Sequence, residues 1–111
     1  MEIKNNCIII SDTDKICFDE PIIEAAIEND KVFVVFQTIV DNGFDNLYCF
    51  TYDKHLLWRI KQAPREIGGT VRATYVGVSI RDNLCYATDF FGRCFFVNPD
   101  NGEIIGKEIV K

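Results

Sequence analysis

Apolar residues in this chain alternate with polar ones or gather in short β-branched and aromatic runs, and Asn, Asp and Gly punctuate them. That is the period-two signal of strands and turns, not the 3.6-residue period of helices. Ten strands are predicted on this basis: Cys7 to Ile10, Lys15 to Phe18, Ile22 to Ile27, Lys31 to Thr38, Leu47 to Tyr52, Leu56 to Lys61, Thr70 to Ser79, Leu84 to Thr88, Arg93 to Asn98 and Glu103 to Val110. Short polar connections such as Ser11 to Asp14 and Asp53 to His55 join them, and Pro99-Asp100-Asn101-Gly102 is a strong turn signal. Neighbouring strands are therefore expected to pair as antiparallel hairpins.

Residues 21–28 read two ways. Asp19-Glu20-Pro21 before Ile22-Ile23-Glu24-Ala25-Ala26-Ile27-Glu28 fits an N-capped helix with proline in its first turn. The alternation of Ile23, Ala25 and Ile27 with Glu24 and Glu28 fits a strand equally well, and an internal repeat tips the choice to strand.

In the first copy of that repeat, Asp30-Lys31-Val32-Phe33-Val34-Val35 leads to Asn46-Leu47-Tyr48-Cys49-Phe50-Thr51-Tyr52-Asp53 and then Leu56-Leu57-Trp58-Arg59-Ile60. In the second, Asp82-Asn83-Leu84-Cys85-Tyr86-Ala87 leads to Gly92-Arg93-Cys94-Phe95-Phe96-Val97-Asn98 and then Glu103-Ile104-Ile105-Gly106. The pattern resembles the blades of quinoprotein-type (PQQ-like) β-propellers. The resemblance covers residues 22–61 and 70–110, with residues 6–18 similar to the last hairpin of a preceding blade. It implies a single all-β domain over residues 1–111, built of two and a half blade-like repeats. A ring needs at least about four blades, so the expectation is a curved two-sheet or sandwich-like arrangement of antiparallel hairpins, or an oligomer that completes the ring. The tryptophan-docking and cofactor-binding residues of a quinoprotein enzyme are not repeated, and no cofactor is expected.

Composition places the chain among folded globular proteins: 111 residues, 48% hydrophobic and 26% charged. Charge changes the picture more. The net charge of −5 argues against a nucleic-acid backbone as partner. It is also unevenly distributed, because residues 1–30 hold eight acids against two bases while residues 31–111 hold nine acids against ten bases. The acidity belongs to the N-terminal segment. It serves either as a solvated face that keeps a small domain soluble or as a patch that steers a basic protein.

The five cysteines, Cys7, Cys17, Cys49, Cys85 and Cys94, are an odd count without CxxC spacing. They are expected to be free thiols in a reducing cytoplasm. No signal peptide or membrane span is read from the apolar runs.

Candidate chemistry is sparse. His55, the single histidine, lies in a turn without a nucleophile motif beside it. The loops Ser11-Asp12-Thr13-Asp14 and Asp41-Asn42-Gly43-Phe44-Asp45 offer oxygen ligands but lack calcium-loop spacing, so no metal is expected. Gly68-Gly69-Thr70 is read as a flexible loop, and Arg59, Lys61, Arg65 and Arg72 as a solvated basic face. In Phe90-Phe91-Gly92-Arg93-Cys94-Phe95-Phe96, alternate aromatics are expected in the core, with an interface anchor at Phe90-Phe91 as the other reading.

A small, acidic β-domain of this kind resembles, in general character, the bacterial immunity proteins that neutralise toxin nucleases and related polymorphic toxins. The resemblance implies a non-enzymatic inhibitor that docks on a basic toxin domain. The contact residues expected for it are Asp12, Asp14, Asp19, Glu20, Glu24 and Glu28, with Asp41 and Asp45 as the next loop. No nucleic acid or membrane is expected as partner. Two alternatives stand beside it: a β-repeat scaffold that oligomerises through open sheet edges, and an enzyme assembled from dispersed carboxylates such as Asp45, Asp53 and Asp89.

Overall fold

The computed structural model describes residues 1–37 and 44–108. Among these, eleven strands form three antiparallel sheets, none closed into a barrel. The first sheet holds β1 (Glu2–Lys4), β2 (Cys7–Ser11) and β3 (Asp14–Cys17). The second holds β4 (Ile22–Glu28), β5 (Lys31–Phe36), β6 (Leu47–Thr51) and β7 (Leu56–Arg59). The third holds β8 (Tyr75–Arg81), β9 (Leu84–Asp89), β10 (Cys94–Val97) and β11 (Ile104–Lys107). Every strand pairs only with its neighbours in sequence, so each sheet is a meander.

The all-β expectation holds, and residues 22–28 are a strand: Ala25 pairs with Val34 and Ala26 with Phe33. Two details differ from the sequence reading. Strand β1 was not anticipated; it pairs Ile3 with Ile8. The strand expected from Thr70 begins only at Tyr75 and runs on to Arg81, because a one-turn helix α1 (Arg65–Gly68) and a loop precede it. Pro64 starts that turn, where a missing N–H costs nothing. The carbonyls of Gly68 and Val71 then turn away from any sheet to accept the Arg93 guanidinium, each at 2.9 Å. The expected ends at Thr38 and Val110 lie outside the described residues.

The layers explain the hydrophobic pattern. Strand β5 is buried on both sides, with Val32, Val34 and Phe36 packed toward Ile8 and Ile16 of the first sheet. Phe33 and Val35 pack instead with Tyr75, Val78, Cys85 and Phe95 of the third sheet. The second sheet is therefore the middle layer, and its central strand loses the polar alternation that a solvated face would leave.

Two contacts lock the second sheet to the third. Asn46, 2% exposed, donates through Nδ2 to the carbonyls of Phe36 and Tyr75 and accepts the Tyr75 amide through Oδ1. Trp58 donates through Nε1 to the Pro99 carbonyl at 2.8 Å, and its ring lies over Gly102. Gly102 has φ +77°, and a Cβ there would come within 2.6 Å of the Trp58 ring. One tryptophan thus does dock on the neighbouring sheet, although no repeated docking motif is present in the sequence.

The cysteine reading needs correction. Cys49, Cys85 and Cys94 are buried free thiols, but Cys7 and Cys17 are disulfide-bonded. Strands β2 and β3 pair Ile8 with Ile16 and Ile9 with Lys15, which sets Cys7 directly opposite Cys17 with Cα atoms 4.0 Å apart. The ten-residue separation is simply the length of this hairpin. The cytoplasmic expectation rested on five free thiols and loses that support.

Candidate functional site

In a meander the turns fall alternately at two ends. The β4–β5, β6–β7, β8–β9 and β10–β11 turns of the second and third sheets share one end, and each contains an aspartate: Asp30, Asp53, Asp82 and Asp100. Local geometry accounts for the residue type. Asn29 and Asp30, like Asp82 and Asn83, have φ between 50° and 65°, the paired left-handed conformations of a type I′ hairpin. The consequence is electrostatic, because the turn chemistry of successive hairpins adds up to an acidic end.

The expected contact residues divide between the two ends. Asp12 and Asp14 flank the β2–β3 turn of the first sheet, and Glu28 closes β4 at the acidic end of the second. Asp19 and Glu20 lie in the β3–β4 connection at the opposite end, roughly 20 Å from Glu28 along a strand rising about 3.3 Å per residue. Glu24 and Glu28 flank Ala26 on the face of β4 that turns toward β8, and both are half-buried. Asp41 lies outside the described residues.

Asp45 is engaged within the protein: its carboxylate meets Arg72 at 2.6 Å, and its carbonyl accepts Arg59 Nε at 2.7 Å. The other ion pairs of the described residues are Lys31–Asp100, Lys61–Glu103 and Arg93–Asp89. Three of the four cations of the expected basic face, Arg59, Lys61 and Arg72, are thus tied internally. The six contact acids of residues 1–30 form no ion pair among the described residues. Among the described residues the ion pairs engage Asp45, Asp89, Asp100 and Glu103 of the C-terminal two-thirds, where Asp53, Glu66, Asp82 and Glu108 form none, and they engage no acid of the N-terminal third.

The carboxylates of the enzyme alternative separate. Asp45 and Asp89 both line a small polar cavity with Arg72, Arg93 and Tyr75, whereas Asp53 lies at the other end. The cavity measures about 30 Å³, room for one water molecule. Asp89 is 2% exposed and accepts three hydrogen bonds within the chain: Oδ1 accepts the amides of Phe91 and Arg93, and Oδ2 accepts Arg93 Nε. These bonds commit the group to shaping the β9–β10 turn. Burial pushes the Cys49 and Cys85 thiols up to about 12, so neither supplies a thiolate at neutral pH. His55 is exposed in the β6–β7 turn, its amide donating to Thr51 Oγ1. No cluster of three or more His, Cys, Asp or Glu side chains among the described residues is placed to hold a metal ion.

The aromatic run behaves differently from its first reading. Phe95 is in the core, but Phe90 and Phe91 are 72% and 61% exposed. They occupy the turn between β9 and β10, where strand alternation no longer applies. Their rings meet edge to face at 5.9 Å, with the exposed Val71 also on the surface at this end of the third sheet.

A family model described as a domain of unknown function, DUF7957, matches residues 1–109. The chain belongs to the DUF7957 family. No curated protein matches the chain. The DUF7957 match takes in all three sheets, so the family domain includes the β1–β3 layer as well as the two four-stranded sheets. No helix of the described residues is long and apolar enough to cross a membrane.

Proposed function

We propose that this DUF7957 domain is a non-catalytic binding protein that engages a basic protein, in the manner of bacterial immunity proteins that block a nuclease-like toxin domain. The observation that carries the reading is the division of ion pairs. Asp12, Asp14, Asp19, Glu20, Glu24 and Glu28 make none among the described residues, while Asp45, Asp89, Asp100 and Glu103 each hold a cation of the same chain. A fixed field of uncompensated carboxylates on a sheet scaffold accelerates and orients encounter with a basic surface. The exposed Phe90–Phe91 pair, in the β9–β10 turn at the end opposite the acidic turns, is a separate aromatic surface of the kind interfaces use for affinity.

The test is affinity capture from source cells at low and high salt, comparing the native chain with a Glu20→Lys, Glu24→Lys, Glu28→Lys variant. The expected result is a basic protein that the native chain retains at low salt and the variant loses. Equal retention by both would overturn the reading.

A second reading, a β-repeat scaffold that assembles through its open edges, is favoured by the outer face of the third sheet. Tyr86 and Phe96 meet there edge to face at 5.2 Å, with Arg81 over the Tyr86 ring at 3.9 Å, half-buried and without a further sheet against them among the described residues. Light scattering separates the two, since a ring-sized homo-oligomer supports the scaffold and a monomer supports the inhibitor.

A further inference from the structure

At the acidic end, the β4–β5, β8–β9 and β10–β11 turns enclose a cleft of about 200 Å³, lined by Glu28, Lys31, Phe33, Ile80, Asn83 and Asp100. Its size narrows the choice of occupant. Small-molecule and cofactor sites run to about 300–1,000 Å³, whereas a water molecule takes about 30 Å³, so this space suits one long side chain.

The lining has a definite chemistry. Phe33 and Ile80 offer an apolar wall where the second and third sheets meet. Asp100 and Lys31 are paired at 2.7 Å, and the Asp100 side chain is otherwise 79% exposed. Glu28 is half-buried and makes no ion pair among the described residues. Two carboxylates against one ammonium leave one negative charge uncompensated, and the Asn83 amide adds a neutral polar group. The type I′ conformations on either side hold the rims in place.

We infer that this cleft receives a single arginine side chain of a basic protein partner, its methylene stem along Phe33 and Ile80 and its guanidinium between Glu28 and Asp100. The inference rests on the proposed function and names the anchor residue of that partner. Arginine suits the site better than lysine, because a planar guanidinium forks onto carboxylates while its stem covers apolar surface. It also gives a role to Glu28, a half-buried carboxylate whose cross-strand neighbour Lys31 is paired with Asp100 instead.

The experiment is a ¹⁵N–¹H NMR titration with N-acetylarginine amide, and with the neutral isostere N-acetylcitrulline amide as control. The arginine compound should shift the amides of Asn29, Lys31 and Asn83 saturably and the citrulline compound should not. Glu28→Gln should weaken binding by about tenfold, the scale of one charge-assisted hydrogen bond, while Glu20→Gln should leave it unchanged. If Glu28→Gln disturbs folding, Asp100→Asn tests the same pocket from its exposed wall. Equal shifts with citrulline, or no effect of either pocket variant, would overturn the inference. A hexa-arginine peptide separates the two proposals. Binding that is lost on reversing Asp12 and Asp14 but indifferent to Glu28→Gln removes the cleft and leaves the acidic docking surface standing, whereas no binding even at low salt removes both.

Discussion

Asn46 hydrogen-bonds Tyr75 as a neighbouring strand would: its Nδ2 donates to the Tyr75 carbonyl at 2.9 Å and its Oδ1 accepts the Tyr75 amide at 2.7 Å. A third bond, from Nδ2 to the Phe36 carbonyl at 2.8 Å, ties β5 into the same junction. The second and third sheets share no strand, so this carboxamide supplies main-chain-like continuity between them. Asn46→Ala strands three buried backbone groups and should lower unfolding stability by about 2–4 kcal/mol in urea titration. Asn46→Asp at neutral pH should cost at least as much, because it replaces a donor facing two carbonyls with a charged acceptor.

Gly102 is required on two counts. Its φ of +77° disfavours any residue with a Cβ, and that Cβ would meet Trp58 Cε3 at 2.6 Å and Cδ2 at 2.9 Å. Gly102→Ala should therefore destabilise by about 2–4 kcal/mol. Trp58 is the single tryptophan of the chain, so its fluorescence reports on this contact alone. A shifted native emission in the variant, together with an earlier denaturation midpoint, is the expected observation.

Thiol counting checks the cysteine assignment. Ellman's reagent should find no reactive thiol in the folded protein, three after denaturation, and five after denaturation with reductant. Cys7→Ser, Cys17→Ser should lose about 2–3 kcal/mol, the loop-closure value for so short a ring. Unfolding midpoints measured with and without reductant give the same comparison on the native chain.

Alkaline pH should destabilise the fold through its buried acids. An unfolded thiol ionises near pH 9, whereas burial holds Cys49 and Cys85 protonated to about 12. Burial, with Asp45 next, likewise raises the Tyr75 phenol. Because the folded pKa values are the higher ones, their stabilising effect is whole below pH 9.0 and disappears as pH rises toward about 12. Denaturation midpoints should fall across that window, and Cys85→Ala should flatten the decline relative to its own neutral-pH value.

How much of this was legible in the sequence follows from the range of each interaction. Hairpins such as Cys7 to Cys17 and the turn at Pro99 to Gly102 depend on residues close in the chain, so strands and turns could be read directly. The repeat correctly favoured strand at Ile22 to Glu28. The cross-strand disulfide is encoded in the hairpin register, which sets Cys7 opposite Cys17, and not in cysteine count or spacing. Strand β1 is three residues at a sheet edge, too short for periodicity to register. Asn46, Gly102 and the reach of Arg93 to the Gly68 and Val71 carbonyls act between segments far apart in the chain, and nothing local marks them. At the candidate site, the acidity of residues 1–30 was visible, but which acids lack a cation depended on tertiary pairing: Asp45 looked as available as Glu28 until Arg72 was found beside it.

The meander order of all three sheets also bears on how the chain reaches its fold. Each strand finds its hydrogen-bonding partner across a connection to the next strand, so closing any one ladder gives up little chain entropy. What must be searched for over longer distances is the seating of faces, with Trp58 reaching Gly102 and Asn46 reaching Tyr75. The topology predicts early hairpins and a transition state dominated by sheet docking, in which substitutions at Asn46 and within the β8–β9 hairpin both slow folding and leave the unfolding rate little changed.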